Sequence, residues 1–430
     1  MTDAVSYLLS LEAVRERATK VYNAAIEGKL NSFDYNEAKM GDAADFVASL
    51  IMRDFGPDRF DKIPPHGRWQ HFEVGQVSRV ENLLTEWRGA GVDETECTRR
   101  LIDLFLVSVL LDAGAGNDWK FVEPGSEMRL TRSEGLAVAS LYMFKEGTFT
   151  SDKQNVARVD GEALKKLTGE QLANGMQVAP DNPLVGTQDR AALLRRLGES
   201  LSTLPVIFGP EGRPGNLVDY LTADGTILDI RKLWDILQKL LIPIWPSNRT
   251  RVADFPVGDS WPLSTLGATI GNRTYPAEVI QPFHKLTQWL AYSLTVPLQR
   301  LLGVKWENMH LMTGLPEYRN GGLFVDMGVL SLKPDVVAKA SKDEKSQLCS
   351  FDASDDVIVE WRAMTVALLD RIAPLVVERL AKSTNQPDLF ISMAQILEAG
   401  TWKAGRELAA KLRPETRSSP ILVESDGTVF

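Results

Sequence analysis

Within LMTGLPEYRNGGLFVDMG, residues 311–328, a run of ten positions holds the carboxylates Glu317 and Asp326, the phenol Tyr318, the guanidinium Arg319 and the amide Asn320. Gly314, Pro316, Gly321 and Gly322 punctuate the stretch, and such residues make turns. Polar groups on a stiff turn between apolar runs are the form a catalytic carboxylate takes with its orienting partners. An ordinary surface turn with a Glu–Arg pair has the same spacing, and loops carry both. The chemistry open to Glu317 and Asp326 is that of an acid, a base or a charge stabiliser.

A second concentration is IPPHGRWQHFEVGQVSR, residues 63–79, with His66, Arg68, Trp69, His71, Phe72 and Arg79. It reads either as an irregular segment aimed at a ligand or as a packed tryptophan among solvated charges. His66 and His71 stand five residues apart, a spacing that suits no common ligand pattern, and the chain has 4 histidines in all. No metal site is expected. Lys285, preceded by His284, starts a helical run and joins Arg68 and Arg319 as a candidate anion binder. Trp69, Phe72, Trp289 and Tyr318 can wall a planar or sugar-like ligand. This inventory suits hydrolysis of a glycosidic bond, where a carboxylate aligns water and stabilises an oxocarbenium-like transition state. It equally suits a ligand-binding protein without turnover. Asp112, Gly114 and Gly116 offer only a GxG fragment, which reads better as a helix C-terminal turn than as a nucleotide loop. The sequence contains no GxSxG, HExxH, P-loop or CxxC pattern, so those chemistries lose their usual support.

The elements that must position these groups are helical. Apolar residues recur at helical spacing over 4–27, 36–54, 80–88 and 94–111. Residues 133–145 follow, with Ser133 as the expected N-cap, then a loop and a short basic helix in 181–198, and a long helix over 227–241. Phe283, Leu286, Leu290 and Leu294 form a buried stripe, as do Val357, Trp361, Met364, Leu368 and Ile372. The stripes predict that helices 283–301 and 357–380 pack as neighbours. Pro374 should kink or split the second. Glu360 and Arg362 flank Trp361 and either enter a cleft or pair in solvent. The segment 397–409 reads as a glycine turn joined to a helix bearing Trp402 and Arg406. Short strand pieces are expected near Val206 and Ile270. The fold class is mainly α with minor short strands.

At 430 residues the chain exceeds the size at which one core usually stops growing. Two helical lobes, 1–203 and 204–430, meet in a glycine- and proline-rich zone, or the whole is one continuous domain. A net charge of −9 and a pI near 5.2 argue against general nucleic-acid binding. The 2 cysteines make no disulfide framework. The N-terminal residues lack the apolar run of a secretory signal, and no membrane-length stretch occurs. A cytoplasmic protein is expected, with no cofactor and no membrane partner.

Beyond spacing, IPPHGRWQHFEVG, LLDAGAG, RSEGLAVASLYMF, NPLVGTQDRAALLRRLG, FHKLTQWLAYSL, MTGLPEYRNGGLFVDMGVL, IVEWRAMTVALLD, LEAGTWKAGRELA and SDGTVF span nearly the whole chain. Together they resemble a uracil-catabolism family long filed as a domain of unknown function. The resemblance implies a place in a uracil-degrading route distinct from the reductive one, downstream of uridine monophosphate, where ring opening leaves a ribosyl-urea type intermediate. Over 283–330, FHKLTQWLA and MTGLPEYR are similar to the queuosine-salvage nucleotide N-glycosylases. That likeness implies a helical fold akin to helix-hairpin-helix DNA glycosylases, with Lys285 and Glu317 facing the nucleotide. The family has Asp where this chain has Glu317, and the extra methylene moves the carboxylate outward by about 1.5 Å.

Taken together, these resemblances imply an N-glycoside hydrolase acting on a small phosphorylated ribosyl substrate. Glu317 would be base or charge stabiliser, Tyr318, Arg319 and Asn320 its neighbours, and Lys285 a phosphate or sugar contact. His66, Arg68, Trp69, His71 and His284 would complete the pocket, with Asp326 the second carboxylate. A non-catalytic intermediate-binding or scaffold component is the alternative. A phosphoribosyltransferase is a further one, weakened because no acidic-pair loop follows a strand.

Overall fold

The computed structural model describes residues 2–112, 118–267 and 276–424. Gly114, Gly116, the strand piece near Ile270 and the SDGTVF tail lie outside the described residues. Helices dominate: α1 (Leu11–Ile26), α2 (Met40–Phe55), α3 (Arg68–Phe72), α4 (Glu94–Leu110), α5 (Arg132–Lys145), α6 (Thr187–Ser202), α7 (Ile230–Leu241), α8 (Lys285–Leu302), α9 (Tyr318–Asp326), α10 (Asp356–Thr384) and α11 (Trp402–Leu412) are the ones that matter here. The described strands are short. β1 (Phe33–Tyr35) pairs antiparallel with β4 (Leu330–Leu332), and β2 (Ser260–Pro262) with β3 (Ile280–Pro282).

The apolar periodicity explains the layers. From Leu101 to Leu110 every residue of α4 is buried, so this helix is covered all round rather than along one stripe. It packs on α8, which rests also on α7. The 29-residue α10 packs on α1, α2 and α9. One buried cluster runs from Leu11 to Ile421, across residue 204. Helix α9 is held close on both sides by glycine. A Cβ on Gly405 of α11 would collide with the Arg319 carbonyl oxygen, and one on Gly321 would meet Trp361 and Thr365 of α10.

Several expectations are corrected. Helices 283–301 and 357–380 are not principal neighbours, because each is buried on more than one face and finds separate partner helices. Pro374 does not split α10, which runs unbroken with Val376 and Leu380 buried beyond it. Tertiary burial outweighs the single backbone bond a proline removes. The first helix breaks at Ser10, whose hydroxyl accepts the Ala13 N–H at 3.3 Å and caps α1. Helix α5 starts at Arg132 after Thr131, not at a Ser133 cap. Residues Ile227–Asp229 form a strand paired with Lys305–Glu307, and Asp229 then caps α7. The piece near Val206 is a helical turn, Pro205–Phe208, with proline at its first position. The glycine turn before α11 is a helical π-turn, Leu397–Thr401, with Gly400 lodged against Val47 and Ile51.

Candidate functional site

Glu317 is the N-cap of α9. Its Oε2 accepts the Arg319 N–H at 2.9 Å and its Oε1 the Asn320 N–H at 2.5 Å. Both bonds satisfy orphan donors of the helix start. Asn320 locks the same turn: its Nδ2 donates to the Leu315 carbonyl at 3.1 Å, and its Oδ1 accepts from Thr401 Oγ1 at 2.9 Å. The Glu317 side chain is buried, and burial raises its pKa above the ordinary glutamate value, against the pull of those two N–H groups and of Lys285.

Lys285 opens α8. Burial lowers its pKa, with Glu317 and Asp112 opposing. Among the described residues its Nζ has no hydrogen-bond or ion-pair partner. The two groups therefore sense each other's charge without a hydrogen bond or ion pair between them. A clamp ties their backbones together. Arg362 grips Asp259 through two bonds of 2.8 Å and donates to the Pro316 carbonyl at 3.3 Å, while Asp259 Oδ2 accepts the Lys285 backbone N–H at 3.0 Å. The residue before Glu317 and the first residue of α8 are thus tied to one buried ion pair. Neither Glu360 nor Arg362 lies in solvent: the Glu360 oxygens accept the Asn31 and Ser32 N–H groups, each at 2.7 Å.

The wall opposite comes from the N-terminal half. Arg68 is fully buried and spends its fork internally: Nε on Ser108 Oγ at 2.7 Å, Nη2 on the Ser108 carbonyl at 2.8 Å, Nη1 on Asp112 at 3.0 Å. The same Nη1 lies 3.1 Å from His71 Nδ1. A guanidinium can only donate, so His71 Nδ1 accepts and the proton sits on Nε2. Burial, then Arg68, holds His71 below its usual pKa, so it is neutral. Its Nε2–H is a buried donor without a partner, as is the indole N–H of Trp289, and the two rings are 5.6 Å apart. Trp289 lies one helical turn after Lys285, on the same face of α8. His66 meets Glu398 at 2.6 Å and leans on Trp402. Glu134 accepts from Arg406 Nη1 at 2.8 Å; burial opposes its ionisation, but the Arg406 guanidinium favours the anion and its pKa lies below the ordinary value.

The structure links Glu317, Arg319, Lys285, Arg68, His71 and His66 in one chain of contacts: Glu317 accepts the Arg319 N–H and senses Lys285, Lys285 senses Asp112, Asp112 pairs with Arg68, and Arg68 braces His71, whose ring lies 6.4 Å from that of His66. It sets three candidates apart. Asp326 sits nine residues along from Glu317, about 13 Å at the helical rise, in a two-bond pair with Arg413 at 2.9 and 2.5 Å. Trp69 is buried against Phe105 under Arg300. His284 takes a left-handed φ of 47° and donates from Nε2 to the Leu8 carbonyl at 2.8 Å, a brace for the start of α8. Sequence reading missed Glu134 and Glu398, which meet Arg406 and His66 through contacts remote in sequence. Among the described residues no three His, Cys, Asp or Glu side chains converge as metal ligands, and no helix is long and apolar enough to cross a membrane.

Fold and site together define a mainly helical protein in which a buried carboxylate, Glu317, caps one helix and an amine without a described partner, Lys285, opens another. The chain belongs to the family described as "Protein of unknown function (DUF1688)", whose model matches residues 7–430. It is 49% identical over 432 residues to "Protein urg3" of Schizosaccharomyces pombe, covering 100% of both chains. It is 46% identical over 444 residues to "Uracil catabolism protein 4" of Lachancea kluyveri, covering 99% of each.

Proposed function

We propose that this protein is an N-glycoside hydrolase of uracil breakdown, cleaving a (phospho)ribosyl-urea type intermediate to ribose, or ribose phosphate, and urea. The name of the Lachancea kluyveri relative supports the pathway. The observation that carries the reaction is the buried Glu317 carboxylate within electrostatic reach of Lys285, whose amine has no hydrogen-bond or ion-pair partner among the described residues. Cleaving a C1′–N bond to urea expels a poor leaving group. Positive charge gathers on the sugar, and the departing nitrogen must receive a proton.

Glu317 meets the first need by its charge beside C1′ and takes a proton from the attacking water. The water oxygen bonds to C1′, the C1′–N electron pair stays on nitrogen, and a proton from the Lys285 ammonium completes urea. The proton on Glu317 returns to Lys285, so both groups end as they began. Burial favours this exchange, because it moves both groups toward their neutral forms. The unpartnered N–H donors of His71 and Trp289 suit an oxygen acceptor of the substrate, such as the urea carbonyl.

The test is urea release from ribosylurea and its 5′-phosphate by the purified chain. Glu317→Gln keeps the shape and removes the charge. It should fold and bind while turnover falls by roughly two to four powers of ten. Near-normal turnover in that variant would move the role to another residue. The second reading, a binding component without turnover, draws on one observation: both Glu317 oxygens already cap α9, a structural duty sufficient to explain a buried glutamate. No urea from any ribosyl substrate with the wild type would favour it.

A further inference from the structure

Where Arg68 and Lys285 stand leaves open what would hold a phosphate. Arg68 is committed to Ser108, Asp112 and His71, and Lys285 faces Glu317. A different group of cations lies at the starts of α5 and α9 and on α11. Helix α5 begins with Arg132, α9 carries Arg319 in its first turn, and α11 carries Arg406. The Gly405 contact presses α11 onto the Arg319 backbone, so Arg319 and Arg406 are brought together by the packing itself.

Their hydrogen bonding is sparse. Arg319 uses Nη1 on the Arg417 carbonyl at 3.0 Å and lies over the Tyr318 ring at 4.9 Å. Arg406 uses Nη1 on Glu134 and stacks on Trp402 at 4.6 Å. Among the described residues Arg132 has no hydrogen-bond or ion-pair partner, although it is half-buried. Burial, Arg319 and Arg406 all work against its charge. It also has a left-handed φ of 55° and puts a cation at a helix N-terminus, where the macrodipole disfavours one. Glu134, two residues after Arg132, holds Arg406, whose neighbour Gly405 packs on the Arg319 backbone, so three guanidinium-bearing residues share one carboxylate where α5, α9 and α11 meet. A guest anion removes the repulsion and takes up donors now unused.

We propose that Arg132, with Arg406 and Arg319, receives the phosphate of a phosphomonoester, so that the substrate class of this site is a 5′-phosphorylated ribosyl compound. The inference rests on the reading of this space as a ribosyl site. The guanidinium fork matches phosphate oxygens in pairs, and a phosphomonoester carries about −1.5 to −2 charge at neutral pH. The phosphate end would then lie at the starts of α5 and α9, and the reacting end between Glu317 and Lys285.

Calorimetric titration of the full chain with ribose 5-phosphate and with ribose tests this without requiring turnover. The wild type should bind ribose 5-phosphate at least about tenfold tighter than ribose. Arg132→Gln gives up no internal bond and relieves the repulsion, so its melting temperature should be no lower than that of the wild type. It should weaken ribose 5-phosphate binding about 10- to 100-fold and leave ribose unchanged, with Arg132→Lys intermediate. A folded wild type that shows no preference for the phosphate, or an Arg132→Gln variant that keeps it, overturns the proposal. The two readings fail separately. An Arg132-dependent phosphate preference without urea release would sink the hydrolase and leave the subsite standing. Urea release indifferent to the 5′-phosphate would do the reverse.

Discussion

At the scale of single residues, the site is governed by burial acting on charge. Glu317 is less acidic than an exposed glutamate because the buried position disfavours its anion. The sign follows for both activity and stability. As a base it works only when ionised, so the acid limb of the kcat/KM profile should lie above the ordinary glutamate range. Glu317→Gln should abolish that limb rather than shift it. Because the folded-state pKa is raised, the group's favourable contribution is present below its unfolded pKa and is lost as pH rises through the folded value. Wild type should therefore lose melting temperature relative to Glu317→Gln as pH is raised from about 4 to 8. A wild type that gains melting temperature relative to the variant over that range would contradict the buried anion. LPEYR was legible in the sequence because turn formers and polar types coincide there. Glu134 and Glu398 were not, since their meaning lies in distant partners. Glu134 meets Arg406 272 positions away, and Glu398 meets His66 332 positions away.

At the scale of elements, the turn before α9 and the start of α8 are set by one ion pair that neither element contains. Asp259 and Arg362 are both about 1% exposed. A buried pair gives little net stability when intact, but removing one partner strands the other charge. Asp259→Asn should cost about 3–5 kcal/mol, read as a fall in the urea midpoint at constant slope. It should also weaken ligand binding, because Lys285 loses the acceptor for its backbone N–H. A surface pair would show neither effect, so a change under 1 kcal/mol would show that the clamp does not position the site. The helices were readable because each repeats its apolar residues at helical spacing. Which helices touch was not readable. When a helix is buried all round, as α4 is, its pattern names no particular partner, and the expected pairing of 283–301 with 357–380 failed for that reason.

At the scale of the whole molecule, the site is shared between chain halves. Arg68, His71, Asp112 and Arg132 come from before residue 203, and Lys285, Glu317 and Arg406 from after it. The core is shared as well. Helix α10 fills the space against α1 and α2. Arg15 of α1 pairs with Asp370 of α10 at 2.7 Å and donates to the Leu311 and Met312 carbonyls, and β1 takes its only described strand partner from β4. A fragment ending at 203 would expose the buried faces of α1, α2 and α4 with nothing to cover them, and apolar burial is the main favourable term in folding. The full chain should therefore unfold in a single transition, with calorimetric and van 't Hoff enthalpies in agreement. The fragment 1–203 made alone should show helical signal without a cooperative melt and should not bind ribose 5-phosphate. A sharp melt from that fragment, or two resolved transitions from the full chain, would mean that the halves fold separately and that the site assembles only when they dock.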